Sequence, residues 1–102
     1  KNYFNWNQFY MGKYRVEITE NAKKDFQKHR KSGNKAVLAK IDKIYKELKE
    51  HPFTGTGKPE ALKYDLQGLW SRRISQKDRL IYEVIEDVVT VYIVSALGHY
   101  WL

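Results

Sequence analysis

Seven residues in the second half of the chain are of types that could do acid–base chemistry on a phosphate: Lys58, Glu60, Lys63, Arg73, Arg79 and the adjacent pair His99 and Tyr100. Protein groups alone can cut a phosphodiester next to a ribose. Arginines hold the phosphate bidentately, one group removes the 2′-hydroxyl proton, and another protonates the departing 5′-oxygen. A carboxylate, an imidazole and a pair of guanidiniums are such a set. Residue type does not bring them together; that depends on the strand faces they occupy.

Other chemistries lack their residues. Thr54-Gly55-Thr56-Gly57-Lys58 has the flavour of a phosphate loop, but the G-x-x-x-x-G-K-[ST] spacing and the strand-loop-helix context are both missing. His29, His51 and His99 are scattered without metal-ligand spacing, so no metal site is expected. The chain has no cysteine, which removes disulfides, thiolate metal sites and a cysteine nucleophile. No G-x-S-x-G elbow is present, and no cofactor is expected.

The elements that must position these residues can be read from periodicity. Residues 14–18 alternate and are rich in β-formers, and Thr19 offers an N-cap to a helix with Ala22, Phe26 and His29 on one face. Lys31-Ser32-Gly33-Asn34 breaks that helix. A second begins with Val37, Ile41, Ile44 and Leu48 on one stripe and stops at His51-Pro52. Residues 51–60, with two prolines and two glycines, read as a loop. Three β-rich runs come next, 69–75, 79–85 and 88–95, with connections too short for anything but antiparallel pairing; a further short strand is expected around 62–66. The fold class is α+β: an N-terminal strand and a two-helix hairpin packed on one face of an antiparallel β-sheet, with polar residues on the other face.

Alternation along the 69–75 run separates Arg73 from Trp70, Arg72 and Ile74. With Trp70 and Ile74 in the core, Arg73 points to the open face. On the next strand Leu80, Tyr82 and Val84 are then core, and Arg79 shares the open side with Glu83. Arg72 is expected to reach back over the sheet edge as a structural or surface-contacting cation. Tyr45, Tyr82 and Tyr92 are expected in the core, and Tyr64 and Tyr100 are the better candidates for stacking on a base.

With 102 residues, 42% of them hydrophobic and 15% aromatic, the chain can build one core and no second domain. Residues 11–102 are read as a single domain. Residues 1–10, an Asn- and aromatic-rich stretch before Met11, are read as an extension or a segment foreign to the domain, with an extra strand or arm as the alternative. The longest nearly apolar run, 88–98, falls well short of the about 20 residues a membrane helix needs, and the start does not look like a signal peptide. A soluble, cytoplasmic protein is therefore expected. The formal charge of +7 is concentrated before residue 83; from Glu83 onward the chain carries three acidic residues and no basic ones. Such a surface attracts nucleic-acid phosphate or an acidic protein partner.

Ordered motifs add a resemblance. Gly55-Thr56-Gly57-Lys58-Pro59-Glu60-Ala61-Leu62-Lys63, Leu66-Gln67-Gly68-Leu69-Trp70-Ser71-Arg72-Arg73-Ile74, Asp78-Arg79-Leu80-Ile81-Tyr82 and the closing His99-Tyr100 together resemble the YoeB/Txe toxins of the RelE-type fold. The resemblance implies a ribosome-dependent endoribonuclease that cuts messenger RNA in the ribosomal A site, is neutralised by a YefM-like antitoxin, and forms a toxin homodimer. Carried over by position, Glu60 is the general base, His99 the general acid and Arg79 the phosphate and transition-state ligand, with Lys63, Arg73 and Tyr100 assisting and Lys58 beside them. The chain departs from the family pattern in having Asp78 where His is usual, Ala96-Leu97-Gly98 where Cys-Arg-x is common, and Trp101 and Leu102 after the usual terminal Tyr.

Plainer readings stand beside these. Glu60 could serve as a loop carboxylate paired with Lys58 or Lys63, and His99 as a structural histidine near a strand end. The lysines of the two helices form a solvated face by default, with non-specific attraction to ribosomal RNA as a second use. Two alternatives to the nuclease are a non-catalytic antitoxin- or ribosome-binding module of the same fold and a basic DNA-binding domain, the latter disfavoured because no recognition helix stands out.

Overall fold

The N-cap of the first helix also ties that helix to the sheet. The Thr19 hydroxyl oxygen accepts the Ala22 N–H at 3.2 Å and donates to the Val94 carbonyl at 3.0 Å. In this computed structural model, which describes residues 13–98, helix α1 spans Glu20–Ser32 and helix α2 spans Lys35–Leu48. Only Gly33 and Asn34 lie between them. Gly33 ends α1 in the left-handed region at φ 70°, with its N–H returning to the Arg30 carbonyl at 3.2 Å; Asn34 caps α2 by accepting the Val37 N–H at 3.1 Å. The helical hairpin is therefore placed as its sequence signals indicate. Its second helix ends earlier than His51-Pro52, because the chain turns after Leu48 and the Lys49 carbonyl accepts the Tyr14 N–H at 2.8 Å.

Five strands make one sheet among the described residues: β1 (Arg15–Ile18), β2 (Glu60–Ala61), β3 (Leu69–Arg73), β4 (Arg79–Ile85) and β5 (Thr90–Ser95), in the order β1-β5-β4-β3-β2. β1 runs parallel to β5, and the other neighbours are antiparallel. The strand expected around 62–66 is not there. β2 ends at Ala61, with one further bond from the Leu62 N–H to the Leu69 carbonyl at 2.9 Å, and Tyr64–Leu66 form a 3₁₀ turn, with Tyr64 at φ 57°, a conformation a β-ladder cannot use. β3 ends at Arg73 rather than Ser75, because the Ile74 and Ser75 N–H groups both turn back to the Asp78 carbonyl.

The core lies between the helices and one face of the sheet. It is built from Ala22, Ile44, Leu48, Ile74, Leu80, Tyr82, Val91, Ile93 and Ala96, with Phe26, Val37, Ile41, Tyr45, Trp70 and Val84 packed around it. Each buried Leu or Ile contributes about 1.5–3 kcal/mol of transfer free energy. Tyr92 is not part of this core. It alternates with Val91 and Ile93 and is exposed on the other side.

That other side is not purely polar. Ile81 lies between Arg79 and Glu83 along β4, so alternation places it on their face, where it is buried, as is Ser71 opposite it. Leu62 is buried as well, without joining the core under the helices.

A register irregularity separates Ile81↔Ser95 from Tyr82↔Ile93, leaving Val94 as the extra residue of a bulge. The Val94 carbonyl is satisfied from outside the ladder, by Thr19 and by Asn21 Nδ2 at 3.2 Å. The bulge reverses the facing of the residues beyond it. Ala96 is turned into the core and Ser95 to the opposite face.

Candidate active site

Strand register brings the charged residues of the open face into two adjacent rows. Arg73 pairs directly with Arg79 across β3 and β4, and in the next row Glu60 pairs with Ser71, which pairs with Ile81. Glu60 and Arg73 are thus diagonal neighbours on one face, at a backbone separation of about 7–8 Å, within reach of long side chains. Arg73 is exposed and Arg79 half-buried. Arg79 is held from behind by carbonyls, its Nη1 donating to Ser75 O at 3.0 Å and Asp78 O at 3.2 Å. Among the described residues no carboxylate lies within ion-pair distance of Arg73, Arg79, Lys58 or Lys63, so the pairing of Glu60 with either lysine is not found. Two guanidiniums in a directly opposed cross-strand pair repel one another, and an anion between them relieves that repulsion.

The loop that delivers Lys58 and Glu60 is shaped by two glycines. The Arg73 N–H donates to the Gly57 carbonyl at 2.6 Å, and a Cβ on Gly57, at φ 86°, would come within 2.7 Å of the Arg73 carbonyl. Only glycine allows this approach. A Cβ on Gly55, at φ 122°, would collide with the Glu47 carboxylate. Lys58 comes next at φ 52° and is exposed, as are Glu60 and Lys63.

Arg72 anchors the loop from below. It does not reach over the sheet edge, because β3 alternation turns it inward, where it is fully buried. Its Nη1 meets Glu47 Oε1 at 2.6 Å, its Nη2 donates to the carbonyls of His51 at 3.0 Å and Thr54 at 2.7 Å, and its Nε donates to the Tyr82 hydroxyl at 3.1 Å. Glu47 in turn accepts the Thr56 N–H at 2.8 Å and the Thr56 hydroxyl at 2.7 Å. Burial by itself would raise the Glu47 pKa; the Thr56 hydrogen bonds and the Arg72 guanidinium outweigh it and hold the carboxyl below the ordinary range. Burial pushes the Tyr82 phenol up, against the opposing pull of Arg72. Sequence reasoning missed this network, whose only signal was a strand arginine with the periodicity of a core residue.

His99 and Tyr100 lie outside the described residues. Tyr64 is 89% exposed, as a base-stacking side chain requires. No cluster of three or more His, Asp or Glu with the geometry to hold a metal occurs among the described residues. No helix there is long and apolar enough to cross a membrane.

The family described as the YoeB-like toxin of bacterial type II toxin-antitoxin systems matches residues 18–100 of this chain. The chain belongs to that family. Toxin YoeB of Escherichia coli O6:H1 is 43% identical over 67 residues, covering 66% of this chain and 77% of the relative. The YoeB/ParE toxin from Agrobacterium tumefaciens has the same architecture, with a TM-score of 0.77 at 30% identity over 84% of this chain and 99% of that one. The toxin of the heterotetrameric YoeB-YefM toxin-antitoxin complex from Staphylococcus aureus aligns with a TM-score of 0.69 at 32% identity, over 85% of this chain and 98% of that one. This YoeB-like chain is thus a toxin of a type II toxin-antitoxin system with the α+β fold of its relatives. The matched region includes every candidate site residue from Lys58 to Tyr100.

Proposed function

We propose that this toxin is a ribosome-dependent endoribonuclease that cuts messenger RNA in the A site. The observation that carries this reading is the direct pairing of Arg73 with Arg79, with Glu60 one row away on the same face. A scissile phosphate between the guanidiniums receives two positive charges in place of a metal ion. Glu60 takes the 2′-hydroxyl proton, the 2′-oxygen attacks phosphorus, and the bond to the 5′-oxygen breaks as His99 donates a proton to it. The products are a 2′,3′-cyclic phosphate, opening to a 3′-phosphate, and a 5′-hydroxyl. Lys58 and Lys63 add electrostatic attraction for the RNA backbone, and Tyr100 assists at the phosphate. The roles of His99 and Tyr100 rest on the resemblance in sequence.

The YoeB-YefM complex from Staphylococcus aureus supports a YefM-like antitoxin as this toxin's partner. The unpaired cations of the open face suit an acidic segment of that partner, which would block the RNA site. The test is to mix the purified chain with ribosomes holding a defined message and map the cuts. One cut within the A-site codon, lost in Glu60→Ala and in His99→Ala, is the expected result. A folded chain that binds ribosomes and leaves the message intact would instead be a binding module of the same fold.

A further inference from the structure

After β5 leaves the ladder at Ser95, the backbone of residues 96–98 is held almost entirely by side chains. Asp25 Oδ2 accepts the Ala96 N–H at 2.9 Å, and His29 Nε2 lies 2.6 Å from the Ala96 carbonyl. Because a carbonyl only accepts, that nitrogen carries the proton. Asp78 Oδ1 accepts the Gly98 N–H at 2.8 Å, and the Gly98 carbonyl accepts the Arg79 N–H at 3.0 Å. The three side chains come from two unconnected elements, one turn of α1 and the β3–β4 connection. All are buried, Asp25 at 7%, His29 at 5% and Asp78 at 4% relative exposure.

Burying three polar side chains to bind a few backbone groups is a costly way to end a strand. The apolar anchoring of the segment is small: Ala96 is packed in the core but offers a single methyl group, and Leu97 is 40% exposed. What the polar bracket adds is direction. It fixes the N–H and carbonyl of Ala96 and the N–H of Gly98, while the Arg79 backbone N–H takes the Gly98 carbonyl. Gly98 sits at φ 76°, and among the described residues nothing lies within 4 Å of where a Cβ would stand, so the turn is set by conformation rather than by crowding. The next residue is His99. Besides the carboxylate that takes the Gly98 N–H, the main-chain carbonyl of Asp78 receives Arg79 Nη1, so one turn holds both the guanidinium and the chain leading to residue 99.

We propose that Asp25, His29 and Asp78 are positioning residues, which fix the backbone from Ala96 to Gly98 and so the direction in which the chain is handed on to residue 99 from beside the Arg79 turn. The inference rests on the nuclease reading for its purpose, and on the hydrogen bonds alone for its geometry. A misplacement of a reacting group by about 1 Å can cost about 100-fold in rate.

The experiment compares the wild type with Asp78→Ala, Asp78→Asn and, as a core-loosening control, Ile44→Val, by single-turnover cleavage on programmed ribosomes and by NMR of the full chain. Asp78→Ala is expected to lower kcat about 10- to 100-fold with KM for ribosomes unchanged, to lose Gly98 amide protection, and to shift the His99 imidazole resonances. Asp78→Asn keeps an oxygen for the Gly98 N–H and restores most of each signal. Ile44→Val, at a similar loss of melting temperature, leaves kcat and the resonances in place. Should Asp78→Ala not fold, His29→Phe removes the bond to the Ala96 carbonyl while filling its space and is read the same way. A folded variant with wild-type kcat and unmoved His99 resonances overturns the proposal, as does an equal loss in Ile44→Val. If the wild type cuts no message while the NMR response is as expected, the nuclease reading falls and the positioning of residue 99 stands.

Discussion

Arg72 and Glu47 meet at 2.6 Å beneath the loop that carries Lys58 and Glu60, with the guanidinium wholly out of solvent. The pair joins the last turn of α2 to β3 across 25 residues of sequence. Removing one partner leaves the other charge buried and unanswered. Arg72→Ala is therefore expected to cost about 3–5 kcal/mol, and Arg72→Met combined with Glu47→Leu much less than the two single changes together. Urea unfolding of Arg72→Ala, and of the four proteins of the cycle formed by wild type, Arg72→Met, Glu47→Leu and their combination, measures both, and additive losses in the cycle would show that the pair is not coupled.

The same carboxylate gives stability a pH dependence of defined sign. The folded pKa of Glu47 lies below its ordinary value, so its contribution is present above that ordinary value and is lost as pH falls through the folded one. The stability gap between wild type and Glu47→Gln should therefore narrow on acidification. Melts taken between neutrality and pH 3 would reveal it, and a gap that widens would contradict the assignment.

Much of the sheet is legible in the sequence alone. Alternation in residues 69–75 and 79–85 is enough to put Arg72 and Arg73 on opposite faces and Arg73 with Arg79 on one, because strand period is rigid. Three of the four helix ends are legible too, since Thr19, Gly33 and Asn34 act through their own side chains and φ angles, whereas the end of α2 falls at Leu48, short of His51-Pro52. What escapes is non-local. The burial of Arg72 depends on carbonyls of residues 51, 54 and 56 that no spacing rule connects to it. The two-residue β2 is too short to have a period, and the bulge at Val94 is visible only in the register with β4. Ile81 breaks the expectation of a polar outer face although its alternation is in plain view.

The opposition of Arg73 to Arg79 should set stability against activity. Arg73→Gln relieves a like-charge cross-strand pair and is expected to raise stability by about 0.2–1 kcal/mol while lowering cleavage at least about 10-fold. Thermal melts and ribosome cleavage on the same preparation check both halves. A variant that loses stability and activity together would argue for a structural role.

Gly57 should tolerate no side chain. At φ 86°, and with the Arg73 backbone in the way, Gly57→Ala is expected to lose about 1–3 kcal/mol and to displace Lys58 and Glu60. Gly33→Ala, in open space at φ 70°, meets a conformational penalty alone and should cost less. Urea midpoints rank the two, and the reverse order would mean that the loop yields where the strand was expected to hold.

The parallel pairing of β1 with β5 sets an order of events during synthesis. Among the described residues β1 is the first strand to be made and its one neighbour in the sheet is β5, the last, so both helices emerge with their apolar stripes uncovered and wait for β3, β4 and β5. A contact spanning so much of the chain closes slowly compared with local turns. Until β5 has emerged, the register that aligns Arg73 with Arg79 has no finished sheet behind it. A toxin built this way stays unassembled on the ribosome making it until β5 has been translated.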